Sequence, residues 1–195
     1  MPSLVLTPTQ AAFVRSDIPD FNFGPTNYLD CGIWVSGSFN RALVEFDMSS
    51  LDPTAIVDSA SLSFVTYWVI ETGPYTNLNY DIYLSGTGWD SSVSWNSQPT
   101  LFGSALASIY IAGGGVVQSC DVTSSVVGEL PYGNLISFTG LSNGEDGSAT
   151  NGTICYWGNE ASGNNGDTRA TLTINYHLPT PPTTGIDNIW MGMTP

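Results

Sequence analysis

Lysine is absent from this sequence, and its three basic side chains, all arginine, stand against 17 acidic ones. The net charge of −14 excludes nucleic acid as a partner, because phosphate recognition needs clustered Lys and Arg. An anionic membrane surface is excluded for the same reason. Cations, neutral glycans and apolar protein surfaces stay open. Charge of either sign is scarce at 10% of residues, far below the usual quarter, so solubility rests on Ser, Thr, Asn and Gly together with the acids. Histidine occurs once, as His177. Cysteine occurs three times, as Cys31, Cys120 and Cys155, with no C-x-x-C pair. That spacing argues against a zinc site and against a disulfide framework. The three read as small buried hydrophobes, with one disulfide left open. No run approaches the ~18 apolar residues of a membrane span. The opening MPSLVLTPTQ has neither the basic region nor the apolar core of a secretory signal. The expected location is a virion surface or an extracellular assembly, reached after synthesis in the cytoplasm without a signal peptide.

What the chain does have is alternation. At 195 residues, 42% of them hydrophobic, one domain with a full core is the default. In RALVEFDM, Ala42, Val44, Phe46 and Met48 share one face, while Arg41, Glu45 and Asp47 share the other with Leu43. ASLSFVTYWVI and RATLTINY repeat the pattern. Period-two alternation marks antiparallel strands with one wet face. Further strands are expected near Ala12–Arg15, Tyr28–Val35, Tyr80–Leu84, Ala107–Ile111, Leu135–Thr139 and Thr153–Trp157. Turn chemistry separates them: NFGP, LDPT, ETGPY, AGGG, LPYGN, SNGEDG and SGNNGD. Only DVTSSVVGEL reads as a helix, with Asp121 as its candidate N-cap. The fold expected is all-β, an antiparallel two-sheet jelly-roll sandwich with at most one or two short helices. It divides into an N-terminal arm (1–11), the sandwich (12–177) and a Pro/Thr-rich C-terminal arm (178–195).

The order of five stretches resembles the DNRLRE-type jelly-roll domain, a group related to a family of carbohydrate-binding modules. They are AFVRSDIPDFNFGPTNYL (12–29), RALVEFDMSSLDPTAIVDSASLSF (41–64), DIYLSGTGWDSSVSWNSQPT (81–100), DVTSSVV (121–127) and YWGNEASGNNGDTRATLTINY (156–176). The resemblance implies a non-catalytic sandwich used for attachment or display. It also implies that Trp89 and Trp95, in the W-x5-W segment, lock a loop against the sandwich.

Candidate sites emerge from residue chemistry. Arg15, Arg41 and Arg169 read as structural counter-charges, with Glu45 and Glu160 as partners, since a guanidinium bridges carboxylates bidentately across strands. Tyr75, Tyr80 and Tyr132 lie near loops and are the candidate glycan-facing residues. No pair of acids is marked for glycoside hydrolysis and no G-x-S-x-G elbow occurs, so the chain is read as non-enzymatic, without catalytic residues or cofactor. A structural calcium ion stays open at the oxygen-rich loops around Asp17, Asp20 and Asn22, at Asn143–Asp146, or at Asn164–Asp167. The C-terminal arm carries Ile186, Ile189, Trp190, Met191 and Met193, too apolar for an idle tail. These are the candidate partner-binding residues, either folded back on their own domain or docked on a neighbour. The SLVLT run near the N-terminus reads as a strand that could be added to a partner's sheet edge. The favoured role is a structural or display protein, in concrete form a phage head-decoration, cement or fibre subunit that homo-oligomerises or binds other virion subunits. The alternative is a carbohydrate-binding module that recognises a polysaccharide.

Overall fold

A computed structural model of the chain describes residues 2–24, 28–33, 37–71, 79–110, 116–142, 145, 153–158 and 170–180; for residues 28, 67–71 and 153–158 it describes the backbone alone. Among the described residues there are eleven strands: β1 (Ser3–Leu6), β2 (Gln10–Arg15), β3 (Tyr28–Ile33), β4 (Phe39–Asp47), β5 (Ile56–Glu71), β6 (Asn79–Ser85), β7 (Leu101–Tyr110), β8 (Val116–Asp121), β9 (Leu135–Ser142), β10 (Thr153–Gly158) and β11 (Thr171–His177). One α-helix, α1 (Thr123–Glu129), and a short 3₁₀ turn at Trp95–Ser97 complete the described elements. Hydrogen bonding links the strands in the order β1-β11-β5-β10-β3-β4-β9-β6-β7, with β2 on β4 and β8 on β5. Every pairing is antiparallel. The strands pack as two layers, the all-β sandwich expected from the alternation.

The alternating residues build the core between the layers. Ala42, Val44 and Phe46 from β4, Ile136 and Phe138 from β9, and Tyr80 and Ile82 from β6 come from one layer. Ala60, Leu62 and Phe64 from β5, Cys120 from β8, and Leu172 and Ile174 from β11 come from the other. Phe46 and Phe138 meet edge to face, with ring centroids 6.3 Å apart. Each such aromatic removed from water contributes roughly 1.5–3 kcal/mol. On the solvent side of β5 and β11, Ser61, Ser63, Thr171 and Thr173 are only half-buried. That face is wet, as the period implies.

The opposite face of β4 is not wet. Leu43 is fully buried and Glu45 is 3% exposed. A second, smaller cluster of Ala12, Val14, Leu43 and Val93 covers this face, with Trp89 and Trp95 packed against it. Both faces of β4 are therefore covered, and Leu43 was the sign of it: an isolated leucine on the polar register.

Three further differences from the sequence reading have local causes. β8 comes after the Gly-rich AGGG, and its Val116 and Val117 are exposed rather than alternating, so the period hides it. β7 begins at Leu101, earlier than expected, because a register shift opposite Ile82 and Leu84 breaks its alternation. β1 pairs with β11 of its own chain, Ser3 opposite Asn175 through Leu6 opposite Leu172, and so completes its own sheet rather than a partner's edge. Asp121 is not the N-cap, a position that falls to Val122 without a side-chain capping bond; one residue earlier, its carboxylate accepts from the backbone N–H and the hydroxyl of Thr123, at 2.8 and 2.6 Å.

Candidate functional site

The segment from Gly86 to Thr100 is long, rich in Gly and Ser, and connects β6 to β7. It is fastened to the outer face of β4 and β9 by polar groups that sequence alone separates widely. Trp89 Nε1 donates to Ser137 Oγ at 2.9 Å, and Ser137 Oγ donates to the Val44 carbonyl at 3.1 Å. Gly88 N–H donates to Glu45 Oε2 at 2.6 Å. Gly88 sits at φ +79°, a left-handed conformation that favours glycine. Burial raises the Glu45 carboxyl above the usual range, partly offset by the Gly88 N–H.

Arg41 is the centre of this clamp. Its guanidinium donates to Glu145 through Nε and Nη2, with Nη2 at 2.6 Å from Oε2, and to Gln98 Oε1 through Nη1 at 3.0 Å. It also stands 4.6 Å from the Trp95 ring centroid, a cation–π distance. The expected pairing with Glu45 is not formed. Arg41 and Glu45 share a strand face, but the loop brings Gln98 and Trp95 to Arg41 and leaves Glu45 to Gly88. Burial raises the Glu145 carboxyl, and the Arg41 hydrogen bonds oppose that rise. Arg15 pairs locally with Asp17, Nη2 to Oδ2 at 2.7 Å. Arg169 and Glu160 lie outside the described residues.

The clamped segment forms one wall of a cleft. Leu84, Ser85, Gly86 and Thr87 meet Phe102 of β7, Glu129 at the end of α1, and Tyr132 in the turn beyond it. Its volume is about 410 Å³, toward the lower end for small-molecule pockets. Phe102 pairs with Leu84 across β6 and β7, and the residue is 48% exposed. Tyr132 is 87% exposed, on a turn fixed by its N–H to the Glu129 carbonyl at 2.9 Å. Gly86 N–H donates to the Thr100 carbonyl at 2.9 Å, which ties the floor to the start of β7. The cleft thus offers two uncovered aromatic surfaces, one carboxylate, hydroxyls and backbone groups. Such a set stacks on apolar C–H faces and hydrogen-bonds to hydroxyls. With a single carboxylate in its lining, it lacks the two acids of glycoside hydrolysis.

Of the candidate glycan-facing tyrosines, Tyr132 lies in this cleft. Tyr80 does not: it is fully buried in the main core, because it shares the inward register with Ile82. Tyr75 lies outside the described residues. Phe102 and Glu129 were not read from the sequence; an aromatic beside Gly103, on a strand whose alternation is broken, was the available signal. The loop oxygens considered for calcium are turned toward protein donors. Asp17 accepts from Arg15, Asp20 from Asn96, Asn22 from Gly24, and Glu145 from Arg41. Among the described residues no three His, Cys, Asp or Glu side chains gather as a metal site. Asn143, Asp146 and Asn164–Asp167 lie outside them, as do Ile186, Ile189, Trp190, Met191 and Met193. Cys31 and Cys120 are buried, and burial pushes the Cys120 thiol up to about 11.

No curated protein matches the chain. Residues 2–174 match the profile of carbohydrate-binding module family 96. That span runs from β1 into β11 and takes in the loop clamp and the cleft, so the chain belongs to carbohydrate-binding module family 96.

Proposed function

We propose that this protein is a non-catalytic module that binds a neutral polysaccharide in the cleft between Phe102 and Tyr132. The observation that carries the reading is the pair of exposed rings flanking Glu129 and the Gly86–Thr87 wall. Two open aromatics converging on one cleft with a few polar groups suit a stacking partner such as a sugar ring. A net charge of −14 and an acid in the cleft favour an uncharged glycan over a polyanion. Such a ligand is met outside the cell or on a particle surface.

The test is affinity electrophoresis and calorimetry against a panel of neutral glucans, mannans and xylans, with a polyuronate as the charged counterpart. Phe102→Ala and Tyr132→Ala should each weaken binding about tenfold or more, the scale of an interface anchor, without changing the melting temperature. Failure of the wild type to bind any panel member, or undiminished binding by both variants, would refute the site.

A virion accessory subunit that grips neighbours through its arms is the second reading. It draws on the apolar residues at 186–193, and the use of β1 within its own sheet removes one arm from that argument. Saturable glycan binding by a monomer, sized by light scattering, favours the module; a stable oligomer without glycan affinity favours the particle.

A further inference from the structure

A second cleft lies on the other side of α1. Pro53, just ahead of β5, and Ile56 and Val57 at its start face Val127 in the helix and Leu130 and Pro131 just beyond it, around about 370 Å³. Its named walls are wholly apolar, and Ile56 and Val127 are 47% and 49% exposed. The last pair of β11 sets His177 opposite Ile56, and His177 Nδ1 stands 2.9 Å from Asp58 Oδ1. The chain therefore leaves the sandwich beside this groove. The family match ends at residue 174, so the segment after β11 lies beyond the module. That segment has a pattern. Ile186, Ile189, Trp190 and Met193 fall at i, i+3, i+4 and i+7, the spacing that gathers four side chains on one side of a two-turn helix.

We propose that the segment Ile186–Met193 docks its apolar side on the groove between β5 and α1 of its own chain. The reach is sufficient: the eight residue-to-residue steps from Leu178 to Ile186 span up to roughly 26–29 Å when extended, and the groove starts at the neighbour of His177. Attachment at the rim also gives the segment an effective concentration on the order of millimolar, which favours its own groove over that of a second copy in dilute solution. Pro179, Pro181 and Pro182 stiffen the connection and reduce the entropy lost on docking.

The full chain labelled with 5-fluorotryptophan tests this by ¹⁹F NMR, with Trp190→Phe assigning the Trp190 signal. In the unmodified chain that signal should stand apart from free tryptophan and be shielded from a soluble paramagnetic agent. Val127→Glu should move it to the free position and leave the other five of the six tryptophans in place. Those five report whether the domain is intact; should they also move, Ile56→Glu on the facing wall carries the same expectation. A Trp190 signal already at the free position, or one indifferent to both substitutions in an intact domain, overturns the proposal. A shielded signal that is lost on dilution, with a dimer mass by light scattering, places the segment on a second copy and overturns the own-chain docking.

Discussion

Asp30→Asn should stabilise the protein above neutral pH and mildly destabilise it in acid. Asp30 lies on β3 and is 4% exposed, and its Oδ1 has no hydrogen-bond partner among the described residues. Burial pushes its carboxyl from 3.8 up to about 7, against a smaller opposing pull from Arg15. The folded state therefore keeps a proton that the unfolded state gives up between pH 3.8 and about 7. Below 3.8 both states are protonated and the site costs nothing. As pH rises through that window, unfolding releases a proton and stability falls by about 1.4 kcal/mol per unit, roughly 4 kcal/mol in all. Asparagine removes the titration but brings an amide N–H₂ that also needs partners, at a cost of about 1–2 kcal/mol. The net gain above about pH 7 is then about 2–3 kcal/mol. For a chain of this length each kcal/mol shifts the melting temperature by ~2–4 °C, so the variant should melt roughly 5–10 °C higher at pH 8 and, with only the amide cost left, about 2–8 °C lower than the wild type at pH 3.5. Thermal unfolding followed by tryptophan fluorescence, in steps from pH 3.5 to 8.5, measures the difference. Glu45 and Glu145 are raised as well, but they contribute to both proteins and cancel in the comparison. A difference that is constant with pH, or that shrinks as pH rises, would show that Asp30 is ionised in the fold at no cost.

Arg41→Met removes the cation from a clamp whose side chains are 21% and 10% exposed. Leaving Glu145 buried and unpaired should cost about 3 kcal/mol, near the lower end for a broken buried pair, measured by urea unfolding at pH 8, and the loss should shrink in acid as Glu145 takes up its proton. Ser137→Ala leaves the Trp89 indole N–H without its acceptor and should cost about 1–3 kcal/mol, with a red shift in tryptophan emission. Both variants should also weaken glycan binding, since the loop they loosen ends in the cleft wall at Gly86 and Thr87.

Much of the sandwich was legible because its core obeys the simplest rule of the pleated strand. Ala42, Val44 and Phe46, or Leu172 and Ile174, are consecutive same-side positions, and each set faces the same interior. What escaped was written in distances along the chain. Arg41 meets Glu145 across 104 positions and Gln98 across 57; strand-face geometry suggested Glu45, and only the fold brings the loop in between. Tyr80 shows the converse error. Its nearness to a Gly/Pro-rich turn suggested the surface, whereas its register with Ile82 already assigned it to the interior. The cleft was half legible: Tyr132 sits in a turn and reads as exposed, but Phe102 belongs to a strand whose register shift erases the alternation that would have flagged an aromatic on the outer side.

The clamp and the cleft are best understood as one device. A loop of Gly and Ser connecting two strands loses much conformational entropy when it is ordered. If that ordering occurred on ligand contact, it would be subtracted from the affinity. Here Trp89, Trp95, Arg41 and Glu45 hold the loop in the unbound protein, so the Gly86–Thr87 wall is in place before any ligand of the proposed site arrives. This explains why buried charge is kept on β4 although an apolar face would be easier to desolvate. Leucines would cover the strand equally well, but they would not fix the direction in which Gly88 presents its N–H. Arg41, one of the scarce arginines of this acidic chain, thus serves geometry, and it supports the proposed glycan site through the loop it holds.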